Sequence, residues 1–270
     1  MGQSIACANQ KGGVGKTTTV VNLGTYLALA GERVLIVDLD PQGNATSGLG
    51  FDRSSIERSI YDAVVEGAPI AELILAGPIE RLDVVPSAMA LAGAELELAP
   101  VEGRERRLAR QLAQVADRYD YLLIDCPPAL GLLTVNALTA ADSVLIPLQC
   151  EYYALEGLTQ LLATLSLVRD HLNPDLAIHG VVLTMYDART NLSADVAAEA
   201  RRHLGRLVFN TIIPRSIRLS ESPSHGLPIQ RYSPESSGAV AYAALATEVR
   251  LRDGRIAPNP VDLRQVVTAS

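Results

Sequence analysis

Lysine is almost missing from this chain of 270 residues: only Lys11 and Lys16 are lysines, and the other 21 basic residues are arginine. A compact ammonium on a flexible stem is not interchangeable with a planar guanidinium, so two lysines kept in one short loop point to a local requirement there. Tryptophan is absent and phenylalanine occurs twice. With 48% apolar residues, the core is therefore expected to be aliphatic. Cysteine is limited to Cys7, Cys126 and Cys150. Their odd number and wide spacing exclude a disulfide framework and a zinc site, and they read as small buried hydrophobes in a reducing compartment. No apolar run reaches the length of a membrane span. Met1-Gly2-Gln3-Ser4 leads directly into a strand pattern, so neither a secretory leader nor a lipid anchor is expected.

A positive net charge is lacking too. The formal charge of −7 argues against a uniformly basic nucleic-acid binder. The distribution is uneven, however. Residues 201–255 hold nine arginines against four acidic residues, a local +5 that leaves −12 for the rest. A basic face on an acidic protein is a possible electrostatic footprint for a polyanion.

The organising stretch is Asn9-Gln10-Lys11-Gly12-Gly13-Val14-Gly15-Lys16-Thr17-Thr18. It follows the apolar run Ile5 to Ala8 and precedes a helical pattern that stops at Gly31. In a strand–glycine loop–helix unit, successive backbone N–H groups cradle an anion at the positive end of the helix dipole. Lys11, Gly12, Gly13, Val14, Gly15, Lys16, Thr17 and Thr18 are therefore the expected phosphate-binding residues. Lys16 reaches the terminal phosphates and the Thr17 hydroxyl ligates Mg²⁺. The usual G-x-x-x-x-G-K-[ST] pattern asks for glycine where Gln10 stands, and Lys11 is an additional cation. Lys11 is suited to neutralise charge developing on a transferred phosphoryl group, including across a subunit interface.

Carboxylates end two buried-strand patterns. Val34-Leu35-Ile36-Val37 runs into Asp38-Leu39-Asp40-Pro41, and Leu122-Leu123-Ile124 runs into Asp125-Cys126-Pro127-Pro128. The carboxyl ends of parallel strands face the ligand crevice of an open α/β sheet. Asp38 is expected to hold the metal's water shell. Asp40 is expected to orient or deprotonate the attacking water, and Asp125 to organise Mg²⁺ as a Walker B carboxylate. Further strands are expected at 82–86, 144–147, 181–183 and 211–214. Helices are expected at 56–66, 70–76, 91–118, 154–170 and 234–251, with Arg104, Arg106, Arg107 and Arg110 on a solvated face of the third. Alternating strands and helices give an α/β fold, one doubly wound and largely parallel sheet flanked by helices. Residues 1–252 are expected to form the domain and 253–270 a disordered tail.

The loop from Lys11 to Thr18 resembles the deviant Walker A motif of the ParA/MinD ATPases. The resemblance continues through Asp38-Leu39-Asp40-Pro41-Gln42-Gly43-Asn44-Ala45-Thr46, Asp125-Cys126-Pro127-Pro128, Gln149 to Gly157, Asp187 to Asn191 and Arg218 to Gly226. It covers about residues 1–250 and is specifically similar to the short chromosomal ParA (Soj) type. It implies a P-loop NTPase fold and a cytoplasmic, nucleoid-associated ATPase, with ATP and Mg²⁺ as cofactors, that partitions chromosomes or plasmids. It also implies an ATP-dependent homodimer that binds double-stranded DNA without sequence preference, with a ParB-type partner stimulating hydrolysis. By the same resemblance Lys11 reaches the partner's nucleotide and Lys16, Thr17 and Asp40 take the roles above. Pro214 and Ser216 hold the adenine, Ser216 standing where asparagine is common. Arg189 and Arg218 contact DNA, and Arg215 lies in the same loops.

Three rivals share the loop. A MinD-like membrane ATPase needs a basic amphipathic C-terminal helix. Val261 to Ser270 offers one Arg, one Asp and no bulky aromatic anchor, so no stable membrane anchor is expected. The nitrogenase iron protein needs cluster cysteines at a dimer face. A metabolic enzyme needs a further acid–base constellation, which the scattered His171, His179, His203 and His225 do not supply.

Overall fold

The computed structural model describes residues 2–151 and 154–256. Its centre is β1 (Gln3–Cys7), flanked in the sheet by β5 (Tyr121–Asp125) and β6 (Ser143–Gln149). Beyond β5 lie β2 (Val34–Asp38), β4 (Leu82–Val85) and the edge strand β3 (Leu75–Ala76); beyond β6 lie β7 (Ala177–Tyr186) and the opposite edge, β8 (Val208–Pro214). All pairings are parallel except β3 with β4. The continuous apolar runs of β2 and β5 have their cause here. Both faces of the sheet are covered, and all five residues of each strand are buried.

One face carries α1 (Lys16–Leu29), α9 (Ile229–Tyr232) and α10 (Ser237–Arg252), packed through Leu23, Leu27, Ile229, Tyr242 and Leu245 onto Ile5, Ile36 and Leu123. The other carries α3 (Ala94–Leu98), α4 (Arg107–Leu112), α5 (Leu132–Ala140), α6 (Ala154–His171) and α7 (Asn191–Leu204) over Leu35, Leu122, Ile124 and Ile146. The short helices α2 (Asn44–Gly48) and α8 (Ile217–Glu221) follow the carboxyl ends of β2 and β8. Winding to both sides of β1 opens a crevice at the carboxyl ends of the strands, where the glycine loop sits.

Several expected elements differ. The stretch 91–118 is not one helix. Pro100 and a left-handed Gly103 (φ 66°) divide it into α3, α4 and short 3₁₀ turns. Nor is Arg107 on a solvated face: its guanidinium donates to the Val64 and Val65 carbonyls across the fold. Instead of helices at 56–66 and 70–76 there are single turns at Asp62–Glu66 and Ile70–Glu72, and β3 occupies the end of the second stretch. Helices α5 and α7 were not expected, and β7 and β8 begin earlier than their most apolar residues. The C-terminal helix runs over Ser237–Arg252, against the expected 234–251. Residues 257–270, which hold most of the expected tail and the whole of Val261 to Ser270, lie outside the described residues.

Candidate active site

The loop between β1 and α1 is shaped by two left-handed glycines, Gly13 (φ 73°) and Gly15 (φ 90°). Gly15 caps α1 with no side chain in the way, so the first amides of the helix remain open to an anion. The loop is pinned from outside. The Asn9 side chain donates to the Pro147 carbonyl at 2.7 Å and accepts from the Lys11 N–H at 3.0 Å. The Thr184 hydroxyl donates to the Val14 carbonyl at 2.8 Å. Gly12 and Gly13 are exposed, whereas Val14 anchors the loop in the interior.

The two lysines are in different situations. Lys16 is buried, and its Nζ donates to the Lys11 carbonyl at 3.3 Å across the curve of the loop. Lys11 is half-exposed and pairs with Glu151 at 2.9 Å. Glu151 is held in turn by the Gln149 amide. This ion pair joins residues 140 apart in sequence, and neither Gln149 nor Glu151 was singled out individually from sequence.

Asp38 and Asp125 end adjacent strands in direct register, with Cys7 register-paired to Asp125 on its other side. Both carboxyls are fully buried. Asp38 Oδ2 accepts from the Thr46 N–H (2.7 Å) and hydroxyl (2.6 Å), and Oδ1 accepts from the Asp40 N–H (3.3 Å). Burial pushes the Asp38 carboxyl up to about 6 against the pull of those hydrogen bonds. Neither oxygen of Asp125 meets a hydrogen-bond partner. Burial first, then the Asp38 charge, hold its carboxyl well above the usual range, with Thr17 and Lys16 pulling the other way. Asp40 is buried as well and accepts from the Gln42 N–H at 2.9 Å. Ser87, at the end of β4, ties this segment down. Its hydroxyl donates to the Asp40 carbonyl at 2.7 Å and its N–H to the Thr46 hydroxyl at 2.9 Å. Thr46 and Ser87 are positioning residues that sequence reasoning left out; Thr46 at least stood inside the recognised Asp38–Thr46 motif.

This donor set fits a divalent cation. Two unpartnered carboxylate oxygens are buried beside Thr17, and three buried carboxylates face one buried ammonium, an excess of negative charge that oxygen-seeking Mg²⁺ would neutralise. Beside Gly15 and Thr18 a cavity of about 270 Å³ is lined by Thr184, Met185, Pro214, Ser216 and Tyr242. Pro214 and Ser216 thus stand one step from the phosphate loop. Met185 adopts φ 51°, a left-handed conformation uncommon for a non-glycine residue.

Arg189, Arg215 and Arg218 are all exposed at the carboxyl ends of the neighbouring strands β7 and β8. Arg189 forms a two-pronged pair with Asp187 (2.8 and 2.7 Å), and these bonds, helped by the Arg215 charge, hold the Asp187 carboxyl well below its usual range. Arg218 pairs with Glu221 at 2.9 Å. The structure therefore brings the three to one corner, two of them already on carboxylate counter-ions. The three cysteines are buried, and burial raises the Cys150 thiol to about 11. Among the described residues no group of three or more His, Cys, Asp or Glu could by itself hold a metal ion, and no helix is long and apolar enough to cross a membrane.

A family model described as an AAA domain matches residues 2–178. The chain is 59% identical to the sporulation initiation inhibitor protein Soj of Bacillus subtilis, covering 92% of this chain and 98% of that protein. It is 53% identical to the chromosome partitioning protein ParA of Myxococcus xanthus, covering 94% and 89%. Among solved structures, a cobyrinic acid a,c-diamide synthase from Mycobacterium smegmatis with bound ADP and magnesium superposes with a TM-score of 0.82 at 38% identity, covering 95% of this chain and 97% of that one.

Proposed function

We infer that this chain, which belongs to the ParA (Soj) family of deviant Walker A ATPases, is a DNA-segregation ATPase whose nucleotide state gates its grip on duplex DNA. Its cofactors are ATP and Mg²⁺. The observation that carries the reading is the convergence of Lys11, Lys16, Asp38, Asp40 and Asp125 on one glycine loop at the carboxyl ends of β1, β2 and β5.

The loop amides and Lys16 bind the phosphates, Lys16 exchanging the Lys11 carbonyl for phosphate oxygen. Thr17 and Asp125 would hold Mg²⁺, with Asp38 behind them; the ion supplies charge neutralisation between the phosphates. Pro214 and Ser216 border the cavity suited to the adenine. Asp40, fixed by Gln42 and by the Ser87 tether on its own carbonyl, orients the attacking water and takes its proton. Lys11 leaves Glu151 when a second protomer's nucleotide comes within reach, so that ATP joins two copies face to face. In that state Arg189, Arg215 and Arg218 contact phosphates of double-stranded DNA without reading bases. Slow hydrolysis, accelerated by a ParB-type partner, ends it. Similarity to Soj and ParA well above that to the diamide synthase favours this reading over a metabolic enzyme.

Light scattering with ATP, ADP and no nucleotide tests the switch, alongside phosphate release. The wild type should become dimeric with ATP and turn it over slowly. Asp40→Ala should dimerise with ATP and lose about 10²–10⁴ of its hydrolysis. A monomer in every nucleotide state, or normal turnover by Asp40→Ala, would refute the reading.

A further inference from the structure

At the opposite end of β8 from Arg215 lies a second basic feature that the nucleotide switch does not use. A groove of about 510 Å³ is lined by Arg201, Gly205, Arg206, Val208, Asn210 and Arg252. It forms where the end of α7, the start of β8 and the end of α10 meet, at the edge of the sheet. Its floor is rigid. Arg252 stacks on the Phe209 ring at 3.8 Å, pairs with Glu248 at 2.8 Å and donates to the Val208 carbonyl at 3.0 Å. Glu248 is further occupied by the Asn210 and Thr211 N–H groups. Nearby, Glu199 is taken by Arg202 and His203. Glu248 and Glu199 are therefore spent, Asp253 is taken by Tyr121 and His179, and Arg201 and Arg206, both exposed, pair with no carboxylate among the described residues. Two uncompensated guanidiniums over a fixed polar floor form a receptor for phosphate, whose geometry the guanidinium fork matches.

We propose that this groove is a second phosphate-contact site for the backbone of duplex DNA, engaged together with the Arg189–Arg215–Arg218 corner. It rests on the DNA reading above and extends it. The seven residues of β8 span roughly 23 Å. The 14 residues of α7, which run from the Arg189 loop back to the groove, span roughly 21 Å. Basic groups at both ends of one sheet edge, about 20 Å apart, suit an extended polyanion rather than a single small anion. At a rise of about 3.4 Å per base pair, that separation corresponds to about six base pairs of duplex.

The test measures binding of random-sequence duplex DNA to the ATP-bound full chain across a salt series, for wild type, Arg218→Ala and the double variant Arg201→Ala/Arg206→Ala. Thermal melting checks that the variants fold. The double variant should bind at least tenfold more weakly at 0.1 M salt, with a salt slope smaller by about two, one per lost phosphate contact. An unchanged affinity and slope, with Arg218→Ala still impaired, would overturn the second site and leave the DNA reading standing. Wild-type protein that fails to bind DNA in any nucleotide state would overturn both. A parallel melt with millimolar inorganic phosphate separates the phosphate sources. Stabilisation lost in the double variant while DNA affinity is kept would make the groove a small-anion site and refute the proposal.

Discussion

Asp38 and Asp125 lie side by side in register at the ends of β2 and β5, and they are held in opposite ways. Asp38 accepts three hydrogen bonds from Thr46 and Asp40, whereas neither oxygen of Asp125 has a partner at good hydrogen-bond geometry and only the Thr17 hydroxyl and the Lys16 charge pull on it. The first carboxylate is built into the fold, and the second is kept bare inside it. A buried carboxylate without hydrogen-bond partners costs stability, and a bound cation would offset that cost.

Asp125→Asn should therefore stabilise the metal-free, nucleotide-free protein while impairing Mg²⁺-dependent ATP binding. Relief of about 1 kcal/mol raises the melting temperature by roughly 2–4 °C in a chain of this size. Scanning calorimetry in EDTA, then with Mg²⁺ and ATP, checks both halves. A destabilised metal-free variant would mean that Asp125 has a structural partner.

The same pair predicts how the metal-free protein responds to pH. Burial raises both carboxyls above the usual value of 3.8, Asp38 to about 6. The folded state then keeps protons that the unfolded chain releases, so the Asp38 contribution is fully present below about pH 4 and is lost as pH rises through about 6, with Asp125 acting in the same direction. Denaturant melts from pH 4 to 7 in EDTA should show this decline, and Asp125→Asn should flatten it. A decline of equal size in the variant would exclude Asp125 as its source.

The Lys11–Glu151 pair separates the two lysines by function. Lys16→Ala removes the buried ammonium and should abolish ATP binding. Lys11→Ala leaves the loop intact and should bind ATP within a few-fold of wild type yet remain monomeric. Glu151→Gln frees Lys11 from a half-exposed pair worth about 1 kcal/mol or less, so any lowering of the ATP concentration needed for dimerisation should stay under about tenfold. Nucleotide titration followed by light scattering distinguishes the three. An ATP-dependent dimer of Lys11→Ala would remove Lys11 from the interface.

The strand–loop–helix unit and both carboxylate-ended strands were legible because each rests on local pattern: glycines at fixed offsets, continuous apolar runs and a terminal Asp. Helix α5 was not, because Leu132 to Ala140 is mostly apolar with no polar stripe, follows Pro127, Pro128 and Gly131, and takes its cap from Glu95, whose Oε1 accepts from the Leu133 N–H at 3.1 Å. For α7 the signal was present: a Thr190 cap and buried Val196, Ala197 and Ala200 at helical spacing. The partners Glu151, Asn9 and Ser87 act across 47 to 140 residues of sequence. No local pattern encodes such distances; the crossover topology brings them together.

The central claim, nucleotide-gated binding to DNA, is tested most directly by titrating random-sequence duplex with the wild-type chain in ATP, in ADP and without nucleotide, at low and high salt. Tight, salt-sensitive binding in ATP alone is the predicted result. Binding of equal strength in all three states, or in none, would contradict the claim.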